Sequence, residues 1–189
     1  MNELSVSEKI FLALYFKVLG KKYEANDSKT EDGIMITHLL GNKVMFPFTQ
    51  YHVPGVDYYF EWDKRGPHSE ELKQMMKRLD NEDKKSAIES FYKNDNSMDI
   101  FSDFQKNRIV FFCETIKELV DFKKYKEKGV IHNMEMFSSM LFLSHTDMSG
   151  YGFEDVYKKL IELKKWKEER DLACRVWDIL NSLQLVPLR

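Results

Sequence analysis

The stretch FEWDKRGPHSEEL, residues 60–72, decides how the first half of the chain is organised. It joins a segment typical of an edge strand to a segment typical of a helix. Gly66 and Pro67 break the strand, because proline lacks a backbone N–H and has a fixed backbone angle. Ser69 is a favoured N-cap, and the two glutamates after it suit the positive end of a helix. We therefore predict a rigid strand-to-helix corner whose structural residues are Gly66, Pro67, Ser69 and Leu72.

This corner has two interpretations. In the first it only sets the direction of the chain. In the second it is a recognition corner, because a rigid turn would project Lys64, Arg65 and His68 outward, with Trp62 packed beneath them. The second interpretation makes these four residues a candidate partner-binding surface.

The rest of the chain mostly has the apolar periodicity of helices. Residues 44–60 differ, and their prolines and β-branched residues predict short extended pieces, with an edge strand over 58–62. The predicted fold is mainly α: a helical bundle with a small β element and a winged-helix-like C-terminal part. The predicted helices run from Ser7 to Gly20 and over residues 34–40, 69–80, 84–92, 105–128, 134–144, 153–161 and 172–183.

The polar, turn-prone stretch NDNSMD, residues 94–99, is the best candidate for a linker. The length of 189 residues fits a single compact domain. Within it we expect two lobes: residues 1–98, which carry the Gly-Pro corner, and the helical residues 99–189.

Composition excludes several classes of protein. With 29 basic and 31 acidic residues, no global positive field indicates nucleic acid. With only two cysteines and many aromatic residues, a disulfide scaffold and a disordered chain are also excluded. The apolar run from Ile10 to Gly20 is too short to span a bilayer and lacks a signal-peptide pattern. We expect a cytoplasmic protein with two free thiols and no membrane contact.

Catalytic signatures are absent from the sequence. No nucleotide-binding glycine loop, zinc-protease motif or serine-hydrolase motif occurs, and the five histidines share no metal-ligand spacing. We therefore predict no catalytic residue, no metal and no cofactor. A hydrolase that uses His145 and Asp147 is the least favoured interpretation.

Two groups of lysines stand out. Lys123, Lys124, Lys126 and Lys128 fall at the C-terminal end of the predicted helix 105–128, where they would complement the helix dipole. In the second group, glutamates interleave with the lysines, which indicates a solvated helix, although contacts to phosphate are the alternative. The candidate phosphate contacts are Lys158, Lys159, Lys164 and Lys165.

The corner also resembles a known family. RGPHSEEL, residues 65–72, resembles the YGPYSxxL signature of the bacterial YwgA family, and is distantly similar to the corner of Panacea (SocA-like) antitoxin domains. Arg65 and His68 replace the two aromatic residues of that signature, while the four structural residues of the corner match it. The stretches of residues 135–147, 153–166 and 173–186 resemble the three closing helices of the family. The resemblance implies a helical, winged-helix-like fold and a regulatory or defence-linked setting.

Two function classes follow from these patterns. The first is a non-enzymatic interaction module, antitoxin-like or an adaptor, that binds a protein partner through the aromatic-rich residues 51–62 and the corner. The alternative is a winged-helix regulator that binds DNA. The acidic isoelectric point, about 6.2, weakens that alternative without excluding it, because local patches govern phosphate binding.

Overall fold

The computed structural model describes residues 3–24, 35–93, 98–145 and 152–186. Contacts divide the chain into two compact units. Unit 1 consists of Met1–Phe60 and Ser69–Glu114, and unit 2 consists of Glu61–His68 and Thr115–Arg189. The short segment with the Gly-Pro pair thus groups with the C-terminal helices, whereas the sequence-based lobes were divided at residue 98.

The described residues are mainly helical, with one antiparallel sheet of two short strands. This confirms the mainly α class with a small β element. The α-helices are α1 (Val6–Leu19), α2 (Ile36–Gln50), α3 (Glu70–Leu79), α4 (Glu82–Lys93), α5 (Asp103–Thr115), α6 (Glu127–His145), α7 (Phe153–Lys164) and α8 (Arg170–Ser182). The strands are β1 (Glu61–Asp63) and β2 (Gly66–His68), and a 3₁₀ helix spans Lys117–Leu119.

Helix α1 is capped two residues earlier than the sequence predicts. Ser5, not Ser7, is the N-cap: its hydroxyl accepts a bond from the Glu8 N–H at 3.2 Å. The Glu8 carboxylate accepts the Ser5 N–H in return at 2.7 Å, which completes a capping box. Gly20 ends the helix as predicted, in the left-handed region at a φ of 65°.

Helix α2 contradicts the prediction of a short helix followed by extended pieces. It passes through Gly41 and contains Pro47. Gly41 is explained by packing, since a Cβ there would lie 2.5 Å from Met76 Sδ and 3.2 Å from the Phe11 ring. Burial of most of this helix outweighs the local preference of glycine and proline to end it.

The prediction of one long helix over residues 105–128 is also wrong. Helix α5 ends at Thr115, where the chain passes from unit 1 to unit 2. The chain then turns, and the buried Asn133 side chain donates a bond to the Leu119 carbonyl at 3.0 Å. Gly129 lies inside the first turn of α6 and ends no helix. Lys123, Lys124 and Lys126 therefore precede α6 and Lys128 lies in its first turn, contrary to the prediction that all four lie at the C-terminal end of a helix.

Helices α6, α7 and α8 pack together with the hairpin to form the core of unit 2. The apolar helix predicted over 134–144 is present as the C-terminal part of α6, which is almost entirely buried there. After α8, Leu185 donates its N–H to the Leu180 carbonyl at 2.9 Å and no strand forms in the described residues up to 186. The helical closing segment is thus present, and its winged-helix character stays a prediction.

Candidate functional site

The Gly-Pro stretch forms a tight β-hairpin. Trp62 pairs with Pro67, so that only Lys64 and Arg65 lie between the strands. The Asp63 carboxylate accepts the Lys64 N–H at 2.6 Å and stabilises the turn. Gly66 has a φ of 86°, a conformation that side chains with a Cβ adopt only with strain.

The hairpin leads directly into α3. Ser69 is the N-cap of that helix, and its hydroxyl accepts the Leu72 N–H at 3.3 Å. The Ser69 N–H in turn donates to Asn42 Oδ1 at 2.9 Å. Ser69 and Leu72 are both buried.

The candidate partner-binding residues differ in exposure. Lys64 is exposed, whereas Trp62, Arg65 and His68 are half-buried. The Trp62 ring packs against Phe142 of α6, with ring centroids 5.5 Å apart. Trp62 thus packs against α6.

Lys164 holds the hairpin from within unit 2. Only 6% of its side chain is exposed, and its ammonium donates to the Lys64 carbonyl and to Glu135 Oε1, the latter at 2.8 Å. The same ammonium lies 5.4 Å from the Trp62 ring centroid and 5.6 Å from that of Trp166. We call Lys164, Glu135, Trp62 and Trp166 the lysine cage. Burial lowers the pKa of Lys164, and the bond to Glu135 partly offsets that effect.

The four candidate phosphate contacts differ in whether their ammonium groups are accessible. Lys158 and Lys165 are exposed and Lys159 is half-buried, but the Lys164 ammonium is enclosed in the cage. One signal in the sequence could have found the cage: Glu135 is the single charged residue in the stretch of residues 134–144. Nothing in the sequence indicated which lysine would reach it.

The aromatic surface expected over residues 51–62 is mostly interior. Tyr51, Tyr58 and Phe60 are each less than a tenth exposed, while Tyr59 is 75% exposed. The rings serve the core: Phe46 and Phe60, for example, meet edge to face at 5.1 Å. Any surface for a partner near the corner therefore depends on the hairpin side chains more than on these rings.

Unit 1 contains a second polar cluster that the sequence did not indicate. The Asp80 carboxylate contacts His38 Nε2 at 2.6 Å and accepts the Tyr23 hydroxyl at 2.7 Å. We call these three residues the Asp80 cluster. Burial and the neighbouring carboxylate raise the pKa of Tyr23, so its hydroxyl keeps its proton. Asp80 and Tyr23 also line an open cleft of about 550 Å³ beside α4.

The described residues offer no geometric support for the hydrolase interpretation. Asp147 lies outside the described residues, and the His145 Nε2 contacts the Leu185 carbonyl. Among the described residues, no group of three or more histidine, cysteine, aspartate or glutamate side chains is arranged to hold a metal ion. None of the described helices combines the length and apolarity that crossing a bilayer requires.

Comparisons of the chain with protein-family models, with curated proteins and with solved structures found no match.

Proposed function

We propose that the chain is a non-enzymatic interaction module, antitoxin-like or an adaptor in role, that binds a protein partner through the hairpin. Lys64, Arg65 and His68 form the rim of the binding surface in this proposal, and Trp62 supports it from below. The role is regulatory or defence-linked, as the resemblance of the corner implies.

The observation that carries the proposal is the lysine cage. It fixes the turn from inside through the Lys64 carbonyl and the Trp62 ring, while the Lys64 side chain is exposed. A side chain on a fixed backbone loses less conformational freedom when it binds, which favours affinity. Arginine, present at the tip as Arg65, is among the residues most enriched at the energetic centres of protein interfaces.

The charge pattern of the hairpin favours a protein partner over a polyanion. Glu61 and Asp63 lie on β1 and oppose the charges of Lys64 and Arg65. Such a mixed surface complements the mixed charges of another protein, whereas a nucleic-acid backbone requires uncompensated positive charge.

The DNA-binding alternative uses a different surface. It would depend on the α7 lysines that are accessible, which are Lys158, Lys159 and Lys165. No observation on the described residues favours a winged-helix arrangement of that surface, so it ranks second.

The proposal is tested by placing a photo-crosslinking amino acid at position 64 in living cells and identifying the crosslinked protein by mass spectrometry. We expect one discrete partner, and we expect the double variant Lys64→Ala, Arg65→Ala to lose binding to it when both are purified. The matched control is Lys77→Ala, Arg78→Ala, which removes the same two residue types from an exposed position at the end of α3.

Both double variants should keep a free energy of unfolding within about 1 kcal/mol of the parent, because Lys64, Lys77 and Arg78 are exposed and only Arg65 is half-buried. Full-strength binding by the hairpin variant, or equal loss in the control, would exclude the hairpin as the binding surface.

A further inference from the structure

Helix α5 carries large apolar side chains on two different faces. Ile109 and Phe112 are fully buried and form its inner face. Phe104 and Phe111, in contrast, are 71% and 49% exposed. Because these two rings are about two helical turns apart in sequence, they lie on one face, which we call the outer face of α5. A surface helix usually has a polar outer face, so two exposed phenylalanines there require an explanation.

Arg108 lies between the two rings in sequence and is half-buried on the same side of the helix. The central carbon of its guanidinium is 4.1 Å from the Tyr51 ring centroid and 5.8 Å from that of Phe104. Aromatic faces attract a cation at such distances, so the two rings hold the guanidinium in place. The outer face therefore has a positive charge at its centre and an exposed ring one turn away on either side.

No carboxylate compensates the charge of Arg108. The helical neighbours that lie three or four residues from it are all uncharged: Phe104, Gln105, Phe111 and Phe112. The acidic residues of α5, Asp103 and Glu114, are about 140° and 120° away around the helix axis. Lys106 pairs with Asp99 at 3.1 Å, whereas Arg108 forms no ion pair within the part of the chain that the structure describes.

We propose that the outer face of α5 binds a short acidic and apolar segment of a partner protein. A carboxylate of that segment would pair with Arg108, and apolar side chains on either side of it would cover Phe104 and Phe111. The guanidinium can bind a carboxylate through two parallel hydrogen bonds, and the covered rings would exclude water from that pair. Arg108 is already held by Tyr51, so it loses little conformational freedom when it binds.

Two other occupants fit this face less well. Nucleic acid requires several uncompensated cations, and the outer face offers only Arg108. A symmetric dimer through this face would bring Arg108 close to its own copy. It would also use far fewer than the roughly 20–30 residues per partner of a stable interface. A short segment with a negative charge matches both the size and the charge of the face. The face belongs to unit 1, so this proposal does not depend on the hairpin.

The test uses a displayed library of random helical peptides. The library is first depleted on the double variant Phe104→Ala, Phe111→Ala, which removes peptides that bind elsewhere, and is then selected on the unmodified protein. We expect the retained peptides to share an aspartate or glutamate with apolar residues about one turn to either side. Circular dichroism establishes that each variant used is folded.

Fluorescence anisotropy then measures the affinity of a retained peptide. Arg108→Gln should bind it about tenfold more weakly than the parent, a loss typical of a central interface residue. The matched control is Arg78→Gln, which removes an exposed arginine from the end of α3 and should bind with the affinity of the parent. Selection repeated on Arg108→Glu should retain peptides with lysine or arginine at the central position, while Arg78→Glu should retain the acidic ones.

Several outcomes would overturn the proposal. One is that no peptide remains after depletion, or that the retained peptides share no carboxylate. Another is that Arg108→Gln binds as tightly as the parent, or that the Arg78→Gln control loses as much. A concentration-dependent dimer in light scattering that Phe104→Ala abolishes would assign the face to a second copy. Labelled oligothymidylate that binds the parent and not Arg108→Gln would assign it to nucleic acid.

Discussion

The two units of the molecule each contain a largely buried polar cluster, one arranged around an ammonium and the other around a carboxylate. In the lysine cage of unit 2, the ammonium of Lys164 lies close to two tryptophan rings and bonds to Glu135. In the Asp80 cluster of unit 1, a carboxylate lies between the His38 imidazole and the Tyr23 hydroxyl. Both clusters join segments that are far apart in sequence.

The difference between them lies in how many formal charges are withdrawn from water. The cage buries an ammonium and a carboxylate together, and their side chains are only 6% and 11% exposed. In the Asp80 cluster, the bond from Tyr23 joins a neutral hydroxyl to one carboxylate, and His38 adds a second charge only when its imidazole is protonated. A buried ion pair is more sensitive to the loss of one partner than a bond between a charge and a neutral group. The comparison therefore predicts a larger effect of substitution in the cage.

The largest expected effect is that of Glu135→Ala. It leaves the Lys164 ammonium buried without its counter-ion and should reduce the free energy of unfolding by about 3 kcal/mol or more. The double variant Glu135→Leu, Lys164→Met removes both charges and should lose less, because no unpaired charge remains. Urea titration measures both, and an equal loss in the two would show that the ion pair is not the source of the effect.

Asp80→Ala should have a smaller effect, a loss of about 1–3 kcal/mol, because it deprives Tyr23 and His38 of a shared acceptor. Asp80→Asn keeps one acceptor oxygen and should recover part of the loss. Thermal or urea unfolding of the two variants tests this. If Asp80→Ala costs more than Glu135→Ala, then the ranking of the two clusters by formal charge is wrong.

Gly66→Val tests the hairpin that the cage holds. A β-branched residue at a φ of 86° is strained, and the expected loss is about 1–3 kcal/mol. Gly66→Asn is the control, since asparagine tolerates positive φ better than other residues with a Cβ. An unchanged melting temperature for Gly66→Val would show that the turn is not constrained.

The smallest effect concerns the thiols, of which each unit contains one. Both Cys113 and Cys174 are half-buried, and both are free thiols, as the sequence predicts. Burial raises the pKa of Cys113 to about 12, so its reactive thiolate is scarce at neutral pH. We expect slow alkylation of both residues in the folded protein, and mass spectrometry measures the rate. Rapid labelling of Cys174 alone would show that the helical face of α8 is more accessible than that of α5.

The sequence by itself determined the features that depend on neighbouring residues. Ser69 caps α3 because its hydroxyl accepts the N–H of Leu72, three residues further along the chain. Gly66 adopts a positive φ in the turn because glycine has no Cβ. Amphipathic helices such as α7 and α8 follow directly from their apolar periodicity. These are short-range effects, and a one-dimensional pattern records them.

Only the tertiary structure decided the features that depend on distant partners. Gly41 lies inside α2 because most of that helix is buried, and Met76 and Phe11 leave no room for a Cβ at this position. Local glycine preference gave the opposite prediction. Lys164 and Glu135 are 29 residues apart, and no local pattern distinguishes that lysine from its exposed neighbours. The break between α5 and α6 likewise occurs where the chain leaves one unit for the other. Burial and charge pairing depend on which residues the fold brings together. The arrangement of the candidate site was therefore visible only in the tertiary structure, whereas local sequence patterns were enough to predict several of the helices.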